Sequence, residues 1–171
     1  MNRTFPWLAA LAFAITPPLC AAAESAADAV EPVDAYVRAV PPVSQTSAAF
    51  MTLKNSGDAA HAVVAARSPA AQIVELHTHI MGDDGMHRMR EVEKIEVPAG
   101  GQAELQPGGL HVMLINLNGP LEPGNSVELT LVYDDGSEET LTAPVKSVGE
   151  TMMKHSKCGQ GKCGGGKCGG K

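Results

Sequence analysis

From Val33 onward the chain alternates short apolar runs with clusters of turn residues, and the apolar positions recur with a period of two rather than 3.6. This pattern predicts strands at Ala35–Ala39, Ala48–Lys54, Ala62–Arg67, Ile73–His79, Met86–Glu91, Lys94–Val97, Gln102–Leu105, His111–Leu117, Ser126–Val132 and Glu139–Val145. The breaks between them have turn chemistry: Asn55-Ser56-Gly57-Asp58, Pro98-Ala99-Gly100-Gly101, Pro107-Gly108-Gly109, Pro123-Gly124-Asn125 and Asp134-Asp135-Gly136. Ser68-Pro69-Ala70-Ala71 predicts a turn or brief helical kink. Many short strands without an amphipathic helix imply an all-β fold, an antiparallel β-sandwich or small Greek-key barrel. Val127, Leu129, Leu131 and Tyr133 alternate with Glu128, Thr130 and Val132, so the first four are read as core.

Both ends depart from this pattern. Met1-Asn2-Arg3 supplies a positive charge, Trp7 to Ile15 is apolar, and Ala21-Ala22-Ala23 follows Pro17-Pro18, which together predict a secretory signal peptide over residues 1–23. The apolar run falls short of the ~20 residues needed to span a bilayer, so no membrane span is expected. Leu19 stands before Cys20 where lipidation favours a small residue, which argues against a lipid anchor. Polar, Ala-rich residues 24–32 are read as a flexible lead-in, 33–148 as the domain and 149–171 as a tail. That tail repeats Lys-Cys-Gly at Lys157-Cys158-Gly159, Lys162-Cys163-Gly164 and Lys167-Cys168-Gly169; so much glycine and so little apolar surface predicts disorder.

Cleavage after Ala23 would leave 148 residues, with 12 Lys and Arg against 19 Asp and Glu, a net −7. An acidic chain makes nucleic acid an unfavourable partner. No nucleophile motif accompanies its histidines, and Asp83-Asp84 and Asp134-Asp135 sit in predicted turns where carboxylates are ordinarily solvated, which argues against an enzyme.

The chemistry concentrates between His77 and Met113. His77-Thr78-His79, His87-Arg88-Met89 and His111-Val112-Met113 each place two donors at strand spacing, hence on one face of a sheet. Imidazole combined with thioether selects Cu(I), since thioether sulfur is a poor donor to zinc, calcium or magnesium. A thioether cannot form a disulfide, so such a site suits an oxidising compartment. A lone Met is ordinarily core filler and a lone His an ordinary surface residue; the reading rests on their combination.

Three runs carry a family resemblance: Val74-Glu75-Leu76-His77-Thr78-His79, Met89-Arg90-Glu91-Val92-Glu93-Lys94-Ile95-Glu96-Val97-Pro98-Ala99-Gly100-Gly101, and Leu105-Gln106-Pro107-Gly108-Gly109-Leu110-His111-Val112-Met113-Leu114. Over roughly Val33 to Lys146 the chain resembles the periplasmic copper chaperones called PCu(A)C, whose motif is His, ten residues, Met, twenty-one residues and His-x-Met. Met89 to His111 encloses twenty-one residues, whereas His77 to Met89 encloses eleven. The additional residue is assigned to the turn Met81-Gly82-Asp83-Asp84-Gly85. The resemblance implies a cupredoxin-like fold, Cu(I) held by His77, Met89, His111 and Met113, a monomeric periplasmic protein, and delivery to an apo-cytochrome c oxidase subunit or another assembly chaperone. His79 competes with His77, which is preferred because it follows the Val-Glu-Leu run as the family's ligand does. A blue-copper centre is excluded because no Cys lies between Glu24 and Lys157.

The tail supplies a second ligand set, Met152, Met153, His155, Cys158, Cys163 and Cys168. Three thiols at Cys-x4-Cys spacing suit neither paired disulfides nor a Cys-x-x-Cys redox site, and a second Cu(I) or Cu(II) is the favoured occupant. The competing functions are therefore copper delivery through the His/Met site and copper sequestration by the thiol-rich tail.

Overall fold

A computed structural model of the chain describes residues 24–82 and 85–147. The alternating runs become ten strands after one helical turn, α1 (Ala26–Ala29): β1 (Val30–Arg38), β2 (Thr46–Asn55), β3 (His61–Arg67), β4 (Ala71–Met81), β5 (His87–Glu91), β6 (Ile95–Val97), β7 (Gln102–Leu105), β8 (His111–Leu117), β9 (Ser126–Tyr133) and β10 (Glu138–Lys146). Strand order is β5-β4-β8-β2-β1-β10-β9-β3-β6, with β7 pairing β2 beyond the point where β8 leaves it. The strands up to β1 form one sheet and those from β10 the other.

The pairing departs from a purely antiparallel expectation at one place. β1 and β10 run parallel through Val37–Val145 and Arg38–Lys146, a two-residue ladder that stitches the layers together. First and last strands meet there with the same sense, and no short hairpin is needed because the whole domain connects them.

Alternation decides what lies between the sheets. Val37, Ala49, Met51, Leu53, Leu76, Val112 and Leu114 of one sheet join Val63, Ile95, Val97, Val127, Leu129, Leu131, Tyr133 and Val145 of the other in a single buried cluster. Each fully buried aliphatic side chain contributes about 1.5–3 kcal/mol. The face expected to be core, Val127, Leu129, Leu131 and Tyr133, is at most 4% exposed. The Tyr133 hydroxyl donates to Glu139 at 2.9 Å, so its polar end is satisfied.

The flexible lead-in expected over residues 24–32 is corrected by the structure. Val30 to Val33 pair with Asn55 to Thr52, and Ala26, Ala29 and Val30 are at most 2% exposed. Alanine is a weak hydrophobic signal in sequence, but its small side chain fits where α1 lies close to the sheet. Asp135 fixes this segment by accepting from the Ala26 amide at 2.7 Å and from Ser137. Those bonds hold its carboxyl down at about 2, the Ala26 amide being the largest cause. Because the folded value is depressed, the contribution is present above the ordinary value of 3.8 and lost as pH falls through about 2. The Ala26 amide resonance should therefore titrate with a midpoint near 2; one near 3.8 would show that the tether does not form.

A bulge in β1 decides which side chains reach the outer face. Three steps from Val33 to Tyr36 match two steps from Thr52 to Phe50, with Asp34 at φ +54. The extra residue reverses the parity of the strand. Val37 thus turns into the core, and Tyr36 and Arg38 turn outward beside Phe50.

Candidate metal centre

The donors predicted from strand spacing share the outer face of the first sheet. His77 pairs with His111 across β4 and β8, His79 with Met89 across β4 and β5, and Glu75 with Met113. Directly opposed residues point the same way, so all six side chains project to one side while Leu76, Val112 and Leu114 between them enter the core. The β4–β5 hairpin closes through Met81–His87 and a Gly82 amide bond to the Met86 carbonyl, and its ladder runs without a register shift from Met81 to His77.

A hollow of about 230 Å3 opens on this face, lined by His79, Met89, His111 and Met113 together with Phe50, Arg38, Pro107 and Gly108. The turn at Gln106 to Gly109 roofs it, closed by the Gly109 amide on the Gln106 carbonyl at 2.9 Å. Gly108 sits at φ +85, a conformation that disfavours any residue with a Cβ. A larger depression of about 530 Å3 at Ala70, Gly119 to Leu121 and Gly124 to Val127 offers no imidazole, thioether or thiol.

Imidazole orientation is fixed by neighbours. His111 is 2% exposed, and its Nδ1–H donates to the Gly109 carbonyl at 3.0 Å, which leaves the Nε2 lone pair free. His77 Nε2–H donates to the Glu75 carboxylate at 2.9 Å, which leaves Nδ1 as the free nitrogen. The Nδ1 atoms of His77 and His79 are buried and have no hydrogen-bond partner. Burying such atoms costs free energy unless something else binds them. The His111 ring centroid lies 5.2 Å from that of His79 and 5.9 Å from that of His77. Among the described residues, no three His, Cys, Asp or Glu side chains converge into a metal cluster on their own. The thioethers on this face are Met89 and Met113, and Met89 is 52% exposed at the edge strand β5.

Burial lowers the His111 pKa from its ordinary value, opposed by the Gly109 bond and aided by His79, His77 and Arg38. A depressed folded pKa means that protonation favours the unfolded chain. Metal-free stability from this group therefore rises with pH through the interval below 6.5 and levels off above it. Ring-proton NMR should place the His111 midpoint below 6.5, and a midpoint at or above that value would contradict its buried position.

Of the sequence candidates, His77, His79, Met89, His111 and Met113 come together, His79 inside the hollow and His77 one step along β4 against Glu75. Met152, Met153, His155, Cys158, Cys163 and Cys168 lie outside the described residues. Sequence reasoning missed Glu75 and Phe50. Glu75 was discoverable, being two positions before His77 on a strand; nothing in the sequence announced that Phe50 would lie 6.1 Å from the His111 ring.

Similarity to other proteins runs over this same region. The LpqE-like family, described as "Putative lipoprotein LpqE-like", matches residues 30–145. A relative in Leifsonia xyli subsp. xyli, "Putative lipoprotein Lxx21020", is 39% identical over 121 residues, which are 70% of this chain and 71% of that protein. The solution structure of CuI-DR1885 from Deinococcus radiodurans is 41% identical with a TM-score of 0.54, over 66% of this chain and 74% of that one. The copper-bound PCuAC domain from PmoF2 is 22% identical with a TM-score of 0.60, over 73% of this chain and 98% of that one, a likeness of fold. With its cupredoxin-like sandwich and a family match spanning nearly all of the described strands, the chain belongs to the LpqE-like, PCu(A)C family.

Proposed function

We propose that this protein is a copper chaperone that carries Cu(I) on the outer face of its first sheet, bound by Met89, Met113, His111 and an imidazole from β4, His77 in the first instance. The observation that carries the reading is the pair of buried, unpartnered Nδ1 atoms on His77 and His79 beside two thioethers and a His111 ring oriented by Gly109. The donor set is soft and uncharged, which suits Cu(I). The 41% identical DR1885 structure, described as CuI-bound, supports the same metal here. Edge exposure of Met89 suits a carrier, because a donor at the rim can be displaced by an incoming ligand of the acceptor.

The protein is a carrier and not an enzyme, exported to the periplasm by residues 1–23, and its acceptor is the copper centre of a cytochrome c oxidase subunit or another assembly chaperone, as the family resemblance implies. Among the described residues no helix is long and apolar enough to cross a membrane. The three Lys-Cys-Gly repeats favour a second reading, in which the tail sequesters excess copper. Anaerobic Cu(I) titration with X-ray absorption, with and without residues 150–171, separates the two. The chaperone reading requires one Cu(I) with sulfur and nitrogen scatterers in the tail-deleted protein; absence of sulfur at copper there would overturn the His/Met assignment.

A further inference from the structure

The β4–β5 hairpin runs on beyond the hollow and takes two further soft donors with it. Met81 opposes His87 on the ladder, one step past the His79–Met89 pair, and no register shift intervenes. Opposed residues share a face, and so do residues two apart on one strand, so Met81 and His87 stand on the face of His79 and Met89. Arg88 and Arg90 alternate with His87 and Met89 and are turned to the other face, which keeps guanidinium charge off the donor face. The hollow is lined by His79 and Met89 but reaches neither Met81 nor His87.

A single exposed methionine is ordinary. Here the arrangement is a repeat with the donors exchanged between strands: His79 of β4 faces Met89 of β5, and Met81 of β4 faces His87 of β5. Opposed Cβ atoms lie about 4.5–5.5 Å apart, so the thioether and imidazole of one pair can close on a single ion. The hairpin end is pinned beside them by the Gly82 amide on the Met86 carbonyl and the Gly85 amide on the Gly82 carbonyl, both at 2.9 Å. Exposure grades along the face, from Met81 at 66% through Met89 at 52% to His111 at 2%.

We propose that Met81 and His87 form a second, outer Cu(I) site, which takes the ion from solution and passes it to His79 and Met89. The inference rests on the His/Met hollow being a Cu(I) site. The two pairs are two residues apart along the strands, about 7 Å, and the three rotatable bonds of methionine let its sulfur follow the ion over part of that distance. In the handover copper bonds to the Met89 sulfur or to Nδ1 of His79, which has no hydrogen-bond partner, as its bond to Met81 or His87 breaks. Every donor is neutral, no proton or electron moves, and copper stays in the +1 state. Two donors hold the ion less tightly than the fuller set of the hollow, so the outer pair fills second at equilibrium although it is met first.

The test is an anaerobic Cu(I) titration of the chain from Glu24 to Lys171 carrying Cys158→Ser, Cys163→Ser and Cys168→Ser, so that no thiol competes. Methionine methyl and histidine ring-proton resonances are followed. The first equivalent should shift the Met89 and Met113 methyls, and further Cu(I) should shift the Met81 methyl and the His87 ring protons together. Met81→Leu, an exposed and volume-conserving change, should weaken the His87 response by at least about tenfold in Cu(I) concentration. A silent Met81 methyl, or a His87 response that survives Met81→Leu unaltered, would overturn the outer site. For the handover, Met81→Leu combined with His87→Gln should slow copper uptake by the hollow from a Cu(I) chelator and leave its affinity in chelator competition unchanged. An unchanged rate would overturn the handover, and so would an affinity loss matching the rate loss, which would place the pair in the hollow's own ligand set. If the Met89 and Met113 methyls stay still at the first equivalent, it is the functional reading that fails, whatever Met81 and His87 do.

Discussion

Replacing Met113 with Leu is expected to weaken Cu(I) binding by at least about 100-fold, because changes to groups that merely orient a ligand already cost 10–100-fold and this one removes a donor. Leucine keeps the volume and apolar character of the site, so stability should change by less than about 1.5 kcal/mol. Met113 is only partly buried and has Ala48 and Glu75 as its cross-strand neighbours, and a leucine fits that setting without a new clash. Competition with a Cu(I) chelator reads the first quantity and urea unfolding of the metal-free protein the second. Unaltered affinity would remove Met113 from the ligand set.

One residue along the same strand, the consequences reverse. Leu114 is fully buried and belongs to the core cluster, and replacing it with Ala should destabilise the fold by about 2–5 kcal/mol through lost transfer energy and a residual cavity. That is a large part of the ~5–15 kcal/mol by which a domain is normally stable. Copper stoichiometry should nonetheless be retained wherever the variant is folded, since Leu114 points away from the hollow. A loss below about 1 kcal/mol in urea would show that the inner face of β8 is packed less tightly than its burial indicates. Met113 and Leu114 together test the alternation from which the whole site is built.

That alternation was legible in the sequence because its period is local. Val127, Leu129, Leu131 and Tyr133 announced an inner face, and His77-Thr78-His79 and His111-Val112-Met113 announced paired donors, without reference to any other strand. Thioether beside imidazole likewise named a soft metal from the chemistry of the side chains alone. The segment from Ala26 to Pro32 was misread because its alanines and proline carry little hydrophobic signal; its order comes from contacts with β2 and from the Asp135 carboxylate on the Ala26 amide, both remote along the chain.

What the sequence by itself determined is therefore the all-β class, the donor types and the face each donor shares with its neighbour two positions away. Tertiary structure alone decided which strands lie side by side, and so which donors meet: the β4–β8 register opposes His77 to His111, and the β4–β5 register opposes His79 to Met89. It also decided the tautomers, since the Gly109 carbonyl and Glu75 carboxylate select which imidazole nitrogen is free. The bulge at Asp34, which turns Tyr36 and Arg38 onto the site's face, belongs with these. The physical reason is common to all of them: side-chain direction follows from the local backbone, whereas register and bulges are settled by the competition among many strands to bury one core.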